Sequence, residues 1–138
     1  MKIYFACSIT GGREFESIYQ ALVRGLVTEG HQVLTAHLAE SSAGEQESAL
    51  GPQEVYIRDA DWIHESDVLI AEVSVPSHGV GYEIGFALEN GKRVLTLHQQ
   101  DRKISKMISG NPDELSPVKA YPEPVEALQM MRDFLTAS

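Results

Sequence analysis

The chain has 138 residues, 43% of them hydrophobic and 22% charged, and carries a formal net charge of −9. That composition describes a globular protein, and the length suits one domain over 1–138, large enough to bury roughly two-thirds of its unfolded surface. The acidic balance argues against a generic electrostatic grip on a nucleic acid polymer. It leaves room for a small phosphorylated ligand, because helix-end amides and hydroxyls hold one phosphate without a basic patch.

A single cysteine, Cys7, excludes an internal disulfide and favours a reducing, cytoplasmic setting. No apolar run has the length needed to span a bilayer, and the first residues lack a signal-peptide pattern, so no membrane partner is expected.

In chain order, Lys2 to Ala6 has the β-propensity of a central strand and stops at a loop of small and hydroxyl residues, Cys7 to Arg13. Glu14 to Glu29 then spaces Phe15, Ile18, Tyr19, Leu22, Val23, Leu26 and Val27 as one face of a helix. Gly30 closes it, and Gln32 to Thr35 reads as a second strand, completing a βαβ module. Glu40 to Gln53, rich in Ser, Ala, Gly and Glu, reads as a mobile loop.

Pro52 to Ser66 has helical spacing, with the proline suited to a first turn. Val68 to Val73 is a buried strand, followed by a turn containing Pro76, Ser77, His78, Gly79 and Gly81, and a helix around Ile84 to Glu89. Arg93 to Leu97 is a fourth strand, and Tyr121 to Thr136 a closing helix behind Pro122 and Pro124. Alternating β and α elements predict a small doubly wound α/β fold, Rossmann-like or flavodoxin-like, with a parallel sheet flanked by helices. Its ligand crevice belongs at the strand carboxyl ends, where the first loop and the glycine turn both fall.

Several groups could do chemistry there. Ser8, Thr10, Gly11 and Gly12 have the composition of a phosphate cradle before a helix, though neither the P-loop nor the G-x-G-x-x-G spacing is present. Arg13 could add charge to that site or face solvent at a helix start. Glu83, beside an apolar strand end, is either a partner for the helix dipole or a catalytic carboxylate. Asp59 lies on the apolar side of its helix, four residues after Val55 and three before Trp62, so it needs a partner or a purpose, whereas Asp61 reads as solvated. Tyr4, inside the first strand, reads as core whose hydroxyl requires a hydrogen-bond partner. His78 sits in the glycine turn as either contact or bystander. The five histidines lack metal-ligand spacing, and no G-x-S-x-G elbow supports a serine hydrolase.

Taken together, Ile3 to Arg13, the Asp59-x-x-Trp62 helix and Ala71 to Gly85 resemble the 2′-deoxynucleoside 5′-phosphate N-hydrolases, within the nucleoside 2-deoxyribosyltransferase superfamily. The similarity reaches Ser105 to Gly110 and is weakest in Glu40 to Gln53 and at the C-terminus. The resemblance implies hydrolysis of the N-glycosidic bond of a deoxynucleoside monophosphate through a covalent glycosyl-glutamate, with no metal or organic cofactor. Glu83 would be the nucleophile, Asp59 the group assisting departure of the base, and Tyr4 the residue that holds Glu83 in line. Ser8, Gly11, Gly12, Arg13, Ser77 and Gly79 match positions lining the 5′-phosphate pocket, Ile9 is a further substrate-binding position, and His37 matches a position near the base. Ser105 matches a serine contributed by the neighbouring subunit, which implies a homodimer with shared sites.

The sequence departs from the family pattern at Cys7, where the family has glycine, at Thr10, where it has arginine, and at His78, which replaces an apolar residue. Deoxyribosyl transfer between bases, hydrolysis of a ribonucleotide such as CMP, and a nucleotide-binding module without catalysis are the competing readings.

Overall fold

The computed structural model describes residues 1–9 and 14–137. Five strands, β1 (Lys2–Ala6), β2 (Gln32–Val33), β3 (Val68–Glu72), β4 (Arg93–Gln99) and β5 (Val118–Tyr121), form a sheet in the order β2-β1-β3-β4-β5 with every pairing parallel. Six α-helices join and flank them: α1 (Glu16–Thr28), α2 (Ala43–Ser48), α3 (Pro52–Glu65), α4 (His78–Glu89), α5 (Lys106–Ser109) and α6 (Pro124–Thr136). The predicted doubly wound α/β class is the observed one.

Strand parity divides the core. Ile3 and Phe5 point with Val68, Ile70 and Leu95 to one side of the sheet, against Leu22 and Leu26 of α1 and Met131 and Phe134 of α6. Tyr4 and Ala6 point with Leu69, Ala71 and Val94 to the other side, against Ile63 of α3 and Ile84 of α4. Successive side chains on a strand alternate faces, so Tyr4 was committed to the α3 and α4 side as soon as Ile3 and Phe5 were committed to the α1 and α6 side.

The chain builds outward from β1 to β2 in one direction and then places β3 on the opposite flank of β1. That reversal is a topological switch point, and its crevice opens at the carboxyl ends of β1 and β3.

Two glycines close helices that lead into strands. Gly30 (φ +90°) follows α1, with Gly30 N–H donating to Val27 O and His31 N–H to Leu26 O. Gly91 (φ +73°) ends α4 in the same manner, through Leu88 O and Ala87 O. Both are left-handed closures that a residue with a Cβ rarely adopts.

The structure corrects several boundaries. The second strand ends at Val33, because Thr35 turns its hydroxyl onto β1, accepting from Phe5 N–H at 2.9 Å and donating to Phe5 O at 2.7 Å. The chain then enters a short 3-10 helix, Ala36–Ala39. The supposed mobile loop Glu40 to Gln53 contains α2, anchored by the fully buried Ala43. Helix α4 begins at His78, because Ser77 caps it with its Oγ accepting from Val80 N–H at 3.3 Å. Gly79 and Gly81 are therefore helical residues and not a turn, and Glu83 falls in the second turn. Strand β4 runs on to Gln99, and a fifth strand, β5, precedes the closing helix, with Tyr121 ending β5 and α6 starting at Pro124.

Candidate active site

Helix α3 is launched by Pro52 at its first position, with Glu54 Oε1 accepting from Gly51 N–H at 3.1 Å. From there Val55, Asp59 and Ile63 recur at intervals of four and share one face, flanked by Tyr56 and Ala60. On α4, Gly79, Tyr82, Glu83 and Phe86 recur at three and four. The two stripes face each other and, with Leu50 and Pro52, line a cavity of about 420 Å³. Asp59 and Glu83 are its only two carboxylates among the described residues, set in walls that are otherwise mainly apolar.

Glu83 is held from beneath. Tyr4 is fully buried on β1, and its hydroxyl donates to Glu83 Oε2. Burial pushes the Glu83 carboxyl up to about 7; the Tyr4 bond pulls against that rise, while the charge of Asp59 adds to it. The same burial, together with the negative charges of Glu83 and Asp59, raises the Tyr4 hydroxyl far above its ordinary range, so it acts as a donor at any physiological pH.

Asp59 is half-buried, and burial raises its carboxyl above the ordinary carboxylate range, opposed chiefly by the adjacent Arg58. The Arg58 Nε–H donates to Asp59 Oδ1 at 2.9 Å. Arg58 also grips Glu47 of α2 with both arms, Nη1 to Oε1 at 2.7 Å and Nη2 to Oε2 at 3.0 Å. Its guanidinium carbon lies 4.8 Å from the centre of the Trp62 ring.

Other expected site residues distribute as follows. His37, in the 3-10 helix, packs edge-on to Trp62 at 5.4 Å and its charge acts on Asp59, which puts it on the Asp59 side of the crevice. Gly79 lines the carboxylate cavity, where an added Cβ would lie 3.7 Å from Glu83 Oε1. Ser8 is buried just past the end of β1, and Ile9 beside it is half-buried. Gly11, Gly12 and Arg13, with Thr10, lie outside the described residues.

Ser77, His78 and Ser105 line a second cavity of about 510 Å³ on the other side of the first turns of α4. Within one chain, Ser105 is thus not brought to the carboxylates. It is exposed and caps α5, its Oγ accepting from Met107 N–H at 3.2 Å. Asp61 is exposed, as the sequence suggested.

Sequence reasoning missed Arg58 and Glu47. Arg58 stood next to Asp59 and carried the signal of an adjacent opposite charge, whereas nothing local marks Glu47 as its partner. The aromatic rim of Tyr56, Tyr82 and Phe86 was also missed, although Phe86 sits three residues after Glu83 and four after Tyr82.

The fold is that of a doubly wound α/β protein, with two carboxylates lining one cavity between α3 and α4. Comparison with known proteins narrows this class. Residues 3–126 match the family model described as nucleoside 2-deoxyribosyltransferase. A Methanosarcina mazei protein with the provisional name 2′-deoxynucleoside 5′-phosphate N-hydrolase 1 is 42% identical over 135 residues, covering 98% of this chain and 84% of the relative. The 5-hydroxymethyl-dUMP N-hydrolase of Homo sapiens is 42% identical over 115 residues, covering 80% of this chain and 66% of the relative. Among solved structures, a CMP N-glycosidase from Clostridium botulinum shares the fold, with a TM-score of 0.72 at 22% identity over 97% of this chain and 99% of that one. The chain belongs to the nucleoside 2-deoxyribosyltransferase family.

Proposed function

We propose that this chain is a nucleotide N-glycosyl hydrolase that cleaves 2′-deoxynucleoside 5′-monophosphates into free nucleobase and 2-deoxyribose 5-phosphate. One observation carries the reading: Asp59 from α3 and Glu83 from α4 converge on a single cavity, with the Tyr4 hydroxyl bonded to Glu83. The names of the relatives support a nucleotide as substrate and N-glycoside hydrolysis as the reaction.

In the first step, the Glu83 carboxylate attacks C1′ of the sugar. A C–O ester bond forms as the N-glycosidic bond breaks through an oxocarbenium-like state, and the bonding pair leaves with the base. Asp59 assists that departure by hydrogen bonding or protonating the base, a task for which a carboxyl raised by burial is suited. In the second step water attacks C1′, its proton returns to the Asp59 side, and Glu83 is released as carboxylate. The products sum to nucleotide plus water.

The hydroxyl-and-glycine loop (Ser8, Ile9, Gly11, Gly12 and Arg13) with Ser77 and Gly79 forms the 5′-phosphate subsite in this reading. Ser105 reaches it from the partner subunit of a homodimer, and His37 borders the base. The lone cysteine supports a cytoplasmic setting.

The test is incubation with a panel of nucleoside and deoxynucleoside monophosphates, thymidine and CMP included, with chromatography of liberated bases. Base release from deoxynucleoside monophosphates, lost in Glu83→Gln while nucleotide binding persists, is the expected outcome. Undiminished release by Glu83→Gln removes the nucleophile role, and preference for thymidine over its monophosphate removes the phosphate subsite. Ser105→Ala weakens monophosphate binding, whereas a protein monomeric at working concentration contradicts the shared site.

A further inference from the structure

We propose that Arg58 is a positioning residue for Asp59, and that Glu47 locks it in that pose, so that α2 is coupled to the base side of the site. The inference rests on the reading of Asp59 as the group that meets the leaving base.

Adjacent side chains on a helix do not face one another, so a contact between Arg58 and Asp59 needs a cause outside their own helix turn. Two causes are present. Glu47 pulls the guanidinium sideways with a bidentate grip at 2.7 and 3.0 Å, and Trp62, one turn along α3, offers its ring 4.8 Å below. Pinned on both sides, Arg58 turns its Nε edge to Asp59 Oδ1, with Nε and Nη2 each 2.9 Å from that oxygen. Only a planar fork makes all three contacts at once, and a lysine ammonium does not. The side chains of Arg58, Glu47 and Asp59 are 21%, 15% and 18% exposed, so the cluster is shielded from solvent and differs from the freely screened pairs of a helix surface.

With Arg58 on Oδ1, Oδ2 is the oxygen that a ligand in the cavity can take. The clamp therefore sets both the rotation of the carboxylate and the charge it feels. Facing Asp59 are Arg58 on its own helix, Glu47 on α2, His37 on the 3-10 helix, Glu83 on α4 and Tyr4 on β1. Removing Arg58 leaves Asp59 opposite Glu47 and Glu83 without its nearest cation, which favours the protonated form. Removing Glu47 frees Arg58 from that pose and loosens its hold on Asp59, which also favours the protonated form, to a smaller extent because the negative charge of Glu47 goes as well.

The experiment is a carboxyl-carbon NMR titration of Asp59, assigned with Asp59→Asn, in wild type, Arg58→Ala, Arg58→Lys and Glu47→Gln, with base-release kinetics on the same proteins. The expected result is an upward shift of the Asp59 titration in Arg58→Ala, partial recovery in Arg58→Lys, and a smaller upward shift in Glu47→Gln, where Arg58 is present but no longer held. Turnover in Arg58→Ala falls about 10-fold, the scale of one hydrogen bond to a charged group, and added guanidinium ion restores part of it. In the Asp59→Asn background Arg58→Ala costs nothing further. An Asp59 titration unmoved in Arg58→Ala and Glu47→Gln overturns the proposal, as does a downward shift in Glu47→Gln, which would show that Glu47 acts on Asp59 only as a charge. A wild type that releases no base from any nucleotide defeats the hydrolase reading instead, and the titrations still decide the role of Arg58.

Discussion

The Tyr4 hydroxyl donates to Glu83 Oε2, joining the first strand to the fourth helix across 79 positions of sequence. A carboxylate in a mainly apolar cavity would otherwise be free to rotate or to hold a proton, and the phenol opposes both. It fixes one oxygen and, by bonding to the charged form, holds down a pKa that burial drives up to about 7.

Tyr4→Phe keeps the ring that fills the core and removes only this donor. The Glu83 titration then moves further upward, and the acid limb of the pH–rate profile moves with it, since the nucleophile must be ionised. Loss of one hydrogen bond to a charged group corresponds to about 1.5–3 kcal/mol, or roughly a 10- to 100-fold fall in turnover below neutral pH. The profile of kcat against pH checks it, and an unmoved acid limb refutes it.

The same carboxyl links stability to pH. Its ordinary value is near 4.5 and its folded value about 7, so between those limits the folded chain holds a proton that the unfolded chain has released. Stability contributed by this group therefore falls as pH rises from about 4.5 to 7. Glu83→Gln removes the ionisation and should raise the Tm at pH 8 while leaving it nearly unchanged at pH 4. Glu83 is partly exposed, so we expect about 1–2 kcal/mol, or roughly 3–10 °C for a chain of this size. Thermal melts of both proteins at the two pH values measure it, and equal Tm differences at both sink the linkage.

Much of this frame was legible before any coordinates. The run Ile3-Tyr4-Phe5, the α1 stripe from Phe15 to Leu26 and the buried strand at Val68 each carry enough apolar residues in one period to declare themselves. Strand β5 did not, because Val118-Lys119-Ala120-Tyr121 is an edge strand pairing with β4 alone, and Lys119 and Ala120 are exposed. Helix α2 did not either, since its Ala, Gly, Ser and Glu composition is that of a loop. The segment after Pro76 reads as a turn in sequence because its glycines suggest unusual backbone. In the structure both are helical, and Gly79 instead leaves space beside Glu83. The carboxylates were legible as chemistry, but the Glu47–Arg58 clamp was not, because it depends on where a loop of small residues folds back.

Gly79 makes that space testable. Its backbone is ordinary helix, since only Gly30 and Gly91 among the described residues have positive φ. A Cβ there would meet Glu83 Oε1 at 3.7 Å and Ser77 Oγ at 3.8 Å, which is contact without a clash. Gly79→Ala should therefore fold and gain up to about 1 kcal/mol from helix propensity. The methyl also occupies the space between the nucleophile and the capping serine, where the sugar phosphate belongs in the proposed reading. We expect a Tm unchanged or raised, with kcat/KM down by about 10-fold or more, mostly through KM. Undiminished kcat/KM would show that the substrate lies elsewhere.

A second carboxylate, Glu72, makes the sharpest stability prediction. It ends β3, is fully buried, and accepts from Ser74 N–H at 2.6 Å, from Ser74 Oγ at 3.0 Å and from the Tyr121 hydroxyl at the end of β5. Ser74 Oγ in turn accepts from Gln99 N–H of β4 at 2.8 Å. One side chain thus ties together the carboxyl ends of three strands, next to the segment that leads into the cap of α4. Burial raises its carboxyl, and the donors from Tyr121 and Ser74 oppose the rise. Glu72→Gln substitutes an amide donor for one accepting oxygen and faces it with donors, costing about 1–3 kcal/mol. Glu72→Ala leaves a cavity and unpartnered groups together, and should cost about 3–5 kcal/mol. Because Tyr121→Phe removes part of the same network, its cost and that of Glu72→Gln should sum to more than the double variant loses. Urea unfolding of the four proteins tests this, and strict additivity would mean that the two side chains stabilise the sheet edge independently.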